Sequence, residues 1–312
     1  MKKKKYKRVT VILGGTSGER EVSLNSGRAC INALKKKNYL VSKFDPKFKN
    51  LNLINKFKTD VIFNALHGKD GEDGIAQSYF EYLKIPYTHS GVISSYNCMN
   101  KIISKKIFEK NNILTPKYFS IDKHTSDSKI INKILKKKKI SFPIVIKPVN
   151  EGSSLGVKIV KNYNHLNKSA KNLFKKYNQL IFEEYIGGQE IQAAVLNTKA
   201  LGAIELIPKR SFYDYKAKYN RSAKTKHIMP ANLKKMDYIK VLKISVKAHK
   251  ALNCKGVTRA DFKFFKNKFY LLEINTQPGM TSLSLVPEIA SYCGITFPNL
   301  IEKILLDASI NR

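Results

Sequence analysis

The stretch Arg259-Ala260-Asp261-Phe262-Lys263-Phe264-Phe265-Lys266-Asn267-Lys268-Phe269-Tyr270-Leu271-Leu272-Glu273-Ile274-Asn275 decides the reading of this chain. Two aromatic-rich runs flank Lys266-Asn267-Lys268, which reads as a three-residue hairpin turn. With Asn267 at its centre, Asp261 falls opposite Glu273 and Arg259 opposite Asn275. The two-residue period of a strand puts Glu273 and Asn275 on one face with Asp261. Opposed carboxylates destabilise a hairpin unless something neutralises them. Two carboxylates and an amide oxygen at one spot suit Mg²⁺, with phosphate oxygens and water as its other ligands. Taken alone, the hairpin also reads as a solvated edge whose charge lysines neutralise.

Directly downstream, Thr276-Gln277-Pro278-Gly279 forms a turn able to present backbone N–H groups to an oxyanion or carboxylate beside such a cation. Upstream, Glu151-Gly152-Ser153-Ser154-Leu155-Gly156 links two strand-like runs, 143 to 147 and 156 to 160, with Lys147 just ahead of it. A loop of hydroxyls and N–H donors next to a strand lysine can fold over a triphosphate, although a plain Gly-Ser turn has the same composition. Neither G-x-x-x-x-G-K-[ST] nor G-x-G-x-x-G occurs.

The first hundred residues alternate strand and helix. Strands are expected at 9 to 13, 40 to 44 and 61 to 65, with helices at 23 to 36, capped by Ser23 or Asn25, and at 75 to 83. This predicts a doubly wound parallel sheet, with Gly14-Gly15 and His67-Gly68 beyond its carboxyl ends. His67 at a strand end also reads as an ordinary structural histidine. Later segments read as a basic helix at 102 to 110, antiparallel strands at 180 to 184, 190 to 196 and 200 to 207, a polar loop 208 to 231, and a helix near 236 to 252. The expected units are residues 1–99, 100–186 and 187–312.

The 312 residues carry a formal charge of +35, which suggests nucleic acid or an acidic membrane. Of the 58 basic residues, however, 51 are lysine and seven arginine, spread along the whole chain. Lys, Asn, Ile, Phe and Tyr share A/T-rich codons, so genome composition explains the excess and a solvated surface is the expectation. The four cysteines are far apart in sequence and outside zinc spacing, which predicts isolated buried thiols in a reducing cytosol. No signal peptide or membrane anchor is expected.

Taken in order, several stretches carry a resemblance. They are 14 to 27 (Gly14-Gly15-Thr16-Ser17-Gly18-Glu19-Arg20 onward), Ala65-Leu66-His67-Gly68, Gly71-Glu72-Asp73-Gly74, Ile146-Lys147-Pro148, Glu151-Gly152-Ser153-Ser154, Phe212 to Tyr219, Cys254-Lys255-Gly256, and 272 to 287. Together they resemble the D-alanine:D-alanine ligases of the ATP-grasp superfamily. The resemblance implies an α/β ATP-grasp fold: a doubly wound parallel domain followed by two α+β domains that sandwich ATP. The implied activity joins two D-alanines through a D-alanyl phosphate, in cytoplasmic synthesis of peptidoglycan precursors, by a homodimer with neither nucleic-acid nor membrane partner.

By the same resemblance, Lys101, Lys147, Ser153, Ser154, Glu183, Ile186, Glu190 and Lys218 bind ATP, with Lys218 at the transferred phosphoryl group and Glu183 and Glu190 at adenine and ribose. Asp261, Glu273 and Asn275 would ligate two Mg²⁺ ions, with Mn²⁺ as an alternative. Glu19 and His67 would receive the first D-alanine, Ser284 and Leu285 the second, and Arg259 with Gly279 the oxyanion. Ser153 and Tyr219 would tie Glu19 to a closing loop. Glu184 stands where a lysine is common, and Asn100 where an aspartate is. The competing readings are a D-alanine:D-lactate or other ATP-grasp ligase, against which Tyr219 speaks, and a basic nucleic-acid-binding protein.

Overall fold

The computed structural model describes residues 5–208, 225–281 and 283–312. It opens with β1 (Arg8–Ile12), α1 (Arg20–Lys36), β2 (Leu40–Phe44), β3 (Val61–Asn64), α2 (Ile75–Tyr82) and α3 (Val92–Met99). β1 pairs in parallel with both other strands, in the order β2-β1-β3. β3 is buried along its whole length, as a parallel strand covered on both faces must be. α1 starts three residues earlier than the expected cap at Ser23. That hydroxyl is used elsewhere: it donates to the Ala65 carbonyl and accepts from the Gly14 N–H, both at 2.7 Å, so the loop after β1 is tied to the loop after β3.

The next stretch contains α4 (Lys101–Lys110), β4 (Tyr118–Asp122), α5 (Ser128–Lys138), β5 (Ile144–Pro148), β6 (Lys158–Val160), α6 (Tyr163–Phe174) and β7 (Gln179–Glu184). The strands form an antiparallel sheet, β4-β7-β5-β6. Ile144, Ile146, Leu180 and Phe182 pack beneath α5 and α6 with Ile131, Leu135 and Leu166. The strand period then turns Val145, Lys147 and Glu183 to the opposite face. Asn100, the residue in place of the common aspartate, caps α4 by accepting the N–H groups of Ile102 and Ile103, both at 3.1 Å.

The remainder holds β8 (Gln189–Leu196), β9 (Lys199–Ile207), β10 (Lys226–Ile228), α7 (Lys235–Ala251), β11 (Val257–Phe265), β12 (Lys268–Asn275), α8 (Leu285–Tyr292) and α9 (Phe297–Leu306). The sheet order is β10-β9-β8-β11-β12, so the expected loop 208 to 231 ends in a strand at its edge. α7 covers Ile191, Ala193, Ala260, Phe262 and Leu271 on one face. α9 returns to the first sheet, where Leu300, Ile301 and Ile304 share a core with Val9, Val11 and Cys30.

The decisive hairpin differs from its expected form. Its turn has two residues, Lys266 and Asn267, with φ of +48° and +59°, the primed geometry that matches strand twist. Pairing runs from Phe265↔Lys268 to Phe262↔Leu271, a bulge follows between Asp261 and Phe262, and Asp261↔Glu273 and Arg259↔Asn275 then face each other as expected. In an unbulged ladder of this register Asp261 would meet Leu272, and Glu273 would point into the α7 core beside Leu271. The bulge instead lets Leu272 and Glu273, consecutive residues, both line the cleft. Among the described residues no helix is long and apolar enough to cross a membrane. All four thiols are free, but Cys98 and Cys254 are not isolated, with Sγ atoms 3.7 Å apart, and Cys293 is exposed.

Candidate active site

Two chambers meet behind the hairpin. The first, about 830 Å³ of open space, lies between the two antiparallel sheets, and its walls include Lys101, Lys147, Ser154, Glu183, Ile186, Glu190, Asp261, Leu272 and Glu273. The second, about 620 Å³, lies between the first sheet and β12, and is walled by Glu19, His67, Ser153, Arg259, Asn275 and Gly279. Lys101, Glu151 and Glu273 belong to both. The passage from one chamber to the other is thus bounded by one lysine and two glutamates.

Charge is arranged accordingly. In the first chamber Lys147 Nζ lies 2.8 Å from Glu183 Oε2, and Lys263 Nζ 3.0 Å from Glu190 Oε2. Burial drives the Glu183 carboxyl upward, but the ammonium groups of Lys105 and Lys147 more than offset this and leave it below the usual carboxylate range. At the junction Lys101 Nζ donates to the Glu151 carbonyl and stands 3.9 Å from Glu273 Oε2. Burial lowers this ammonium from its ordinary value, against the pull of Glu273.

Arg259 grips Asp261 with two contacts, Nε–Oδ1 at 2.7 Å and Nη2–Oδ2 at 2.9 Å. Each carboxylate oxygen keeps a further lone pair. Asp261, Glu273 and the Asn275 amide form an oxygen-only donor set on one face; here Arg259 balances Asp261, Lys101 stands 3.9 Å from Glu273, and the Asn275 oxygen accepts the Gln277 N–H at 2.8 Å, with lone pairs left on each. The residues fit a hard divalent cation.

In the second chamber Ser153 Oγ donates to Glu19 Oε1, so the expected Glu19–Ser153 link is present. His67 Nε2 lies 3.2 Å from Ser26 Oγ and its Nδ1 3.1 Å from Glu72 Oε1. Ser284 stands beside Gly279 and receives the Thr281 N–H at 3.0 Å, while Leu285 is buried in the core at the start of α8; neither walls the two chambers. Lys218 and Tyr219 lie outside the described residues.

Sequence reasoning passed over three groups. Glu72, inside the quoted Gly71–Gly74 stretch, accepts the Gly68 N–H at 2.9 Å and orients His67. Ser26 joins His67 to the Met280 N–H at 3.1 Å. Gln277 donates to the Leu66 carbonyl and accepts from Asn64 Nδ2 at 3.0 Å, pinning the turn after β12 to the loop after β3. The Glu72 contacts are local, four and five residues apart, whereas the partners of Ser26 and Gln277 are 41 to 254 residues away and only the tertiary structure brings them together.

A parallel sheet joined to two antiparallel sheets that face each other across a cleft, with lysines and a carboxylate hairpin lining it, is the ATP-grasp architecture. Residues 107–306 match the family model described as the D-ala D-ala ligase C-terminus. A curated D-alanine–D-alanine ligase of Pelagibacter ubique is 56% identical over 307 residues, covering 98% of this chain and 99% of the relative. The solved D-alanine–D-alanine ligase of Bacillus anthracis superposes with a TM-score of 0.86 at 35% identity, covering 96% of this chain and 97% of that one. A structure of the Bacillus anthracis enzyme complexed with ATP gives 0.83 at 34% identity, covering 97% of each. The chain belongs to the D-alanine–D-alanine ligase family.

Proposed function

We propose that the chain joins two D-alanines at the expense of ATP, releasing ADP and phosphate. The observation that carries this reading is the junction of the two chambers at Lys101, Glu151 and Glu273. A nucleotide lying between the sheets would present its terminal phosphate where the second chamber opens.

In this reading Glu183, Ile186 and Glu190 hold adenine and ribose, and Lys101, Lys147, Ser153, Ser154 and Lys218 the phosphates. Asp261, Glu273 and Asn275 would hold Mg²⁺, two ions with Mn²⁺ as an alternative, which supplies charge neutralisation of the triphosphate. Glu19, supported by Ser153 and the His67–Glu72 pair, receives the ammonium of the first D-alanine. An oxygen of that D-alanine's carboxylate attacks the γ-phosphorus and ADP departs, leaving a D-alanyl phosphate. The second D-alanine, its carboxylate held at Ser284 and Leu285, attacks the carbonyl carbon through its neutral amine. Arg259 and the Gly279 N–H face the oxyanion of the tetrahedral intermediate, and collapse expels phosphate and forms the amide. Tyr219 and the loop 208–231 would exclude water that otherwise hydrolyses the acyl phosphate.

The three units 1–99, 100–186 and 187–312 are supported by each sheet lying within its own stretch. A homodimer is supported by an apolar stripe on the first unit, where Ile75, Tyr79 and Tyr82 of α2 and Ile93 and Tyr96 of α3 are exposed. The setting is cytoplasmic peptidoglycan precursor synthesis. ADP release in the presence of ATP and Mg²⁺, with D-alanine and then L-alanine or D-lactate as acceptor, tests the reading; equal release with any of the three opposes it.

A further inference from the structure

Lys105 takes no part in the chemistry above, walls neither chamber, and is fully buried. It lies one helical turn after Lys101 on α4, so the two side chains leave the same helix face. Lys101 points forward to the junction, whereas Lys105 passes behind the first chamber. Its Nζ donates to Thr115 Oγ1 at 2.6 Å, lies 5.3 Å from the Tyr118 ring centroid, and stands 3.0 Å from Glu183 Oε1. That last approach is outside hydrogen-bonding geometry, so it acts through charge. Thr115 in turn donates to the Leu271 carbonyl of β12 at 2.8 Å. One buried chain thus runs from the metal-face strand through Thr115 and Lys105 to Glu183, and from Glu183 to Lys147.

Two lysines on one carboxylate differ in what a nucleotide does to them. Lys147 faces the chamber and would be drawn to the triphosphate, leaving Glu183 with Lys105 alone. We propose that Lys105 is a positioning residue: it keeps Glu183 ionised and fixed as a hydrogen-bond acceptor when Lys147 engages phosphate, and so sets the preference for a 6-amino over a 6-oxo purine nucleotide. Burial lowers the Lys105 ammonium to about 8, which still leaves it mostly cationic at neutral pH. The inference rests on the proposed placement of Glu183 at the base.

The test is steady-state kinetics with ATP and ITP on wild type, Lys105→Met, Glu183→Gln and the double variant. One hydrogen bond to a charged group corresponds to roughly 10- to 100-fold. Lys105→Met should raise the ATP KM at least about tenfold, leave kcat and the D-alanine KM within about threefold, and lower the ATP-over-ITP preference about tenfold. Adding Lys105→Met to Glu183→Gln should not change the preference further. A Lys105→Met protein that loses thermal stability but keeps the wild-type ATP KM and preference overturns the inference. If Lys105→Met alone does not fold, a double variant whose preference differs from that of Glu183→Gln overturns it too. Unchanged preference in Glu183→Gln sinks instead the placement of Glu183 at the base, and the inference with it.

Discussion

Gly68→Ala isolates the first D-alanine pocket from the nucleotide chamber. Gly68 has φ of +72°, and a Cβ there would lie 2.7 Å from Glu19 Oε2 and 3.2 Å from Ser17 Oγ. Ordinary contact begins near 3.4 Å, so the Glu19 carboxylate must retreat by about 0.7 Å. It does not do so freely, because Ser153 Oγ holds Oε1, and the Gly152 backbone also lies close, a Cβ built there being 2.9 Å from the same Oε2. The left-handed backbone adds a cost of about 1–2 kcal/mol for an L side chain, which in a chain of 312 residues lowers Tm by roughly 1.5–3 °C. A misplacement approaching 1 Å costs up to about 10²-fold in rate. The expected outcome in a coupled ADP-release assay is a fall of roughly 10- to 100-fold in kcat/KM for D-alanine, with the ATP KM within about twofold. If Tm drops as stated while D-alanine dependence stays at the wild-type level, Glu19 is not the ammonium's partner.

Glu273→Gln should leave the circular-dichroism spectrum unchanged and reduce turnover by about 10²-fold or more, since a metal-facing charge is lost; near-normal turnover would contradict the ligand set. Chelation of divalent cations should abolish ADP release and added Mg²⁺ restore it, whereas full activity in excess chelator opposes a metal role. Acid should destabilise the fold through His89, whose buried ring faces Arg312 and His67 and whose pKa is lowered to about 3 by burial first and those charges next. The folded state then binds fewer protons than the unfolded one between about 3 and 6.5. Stability is complete above pH 6.5 and falls toward pH 3, at most about 1.4 kcal/mol per pH unit from this group. Denaturant titrations of His89→Gln should show a shallower pH slope, and an identical slope would refute the assignment.

How far the sequence could be read is clearest at the hairpin. Asp261 and Glu273 were assignable as partners because their distances from the turn are nearly symmetric and acids stand out in an aromatic run. The two-residue turn is not legible because Lys266 and Asn267 adopt positive φ without a glycine to signal it, and the bulge offsets the one-residue difference from a three-residue turn. β1 and β3 are legible because buried strands read as apolar runs, whereas β2, which carries Ser42 and Lys43 and buries only Phe44 fully, and α5, with only Ile131 and Leu135 buried among lysines, give little pattern. Within the site, groups carried by contiguous motifs could be found. Lys105 could not, since one lysine among 51 shows its role only when Glu183 and Thr115, far along the chain, close around it.

The most direct measurement is stoichiometric. Purified protein is incubated with ATP, Mg²⁺ and D-alanine, and ADP, phosphate and dipeptide are quantified together. The account predicts one of each per turnover, with none formed from L-alanine. ADP and phosphate without D-alanyl-D-alanine, or no ATP consumption at all, would contradict it.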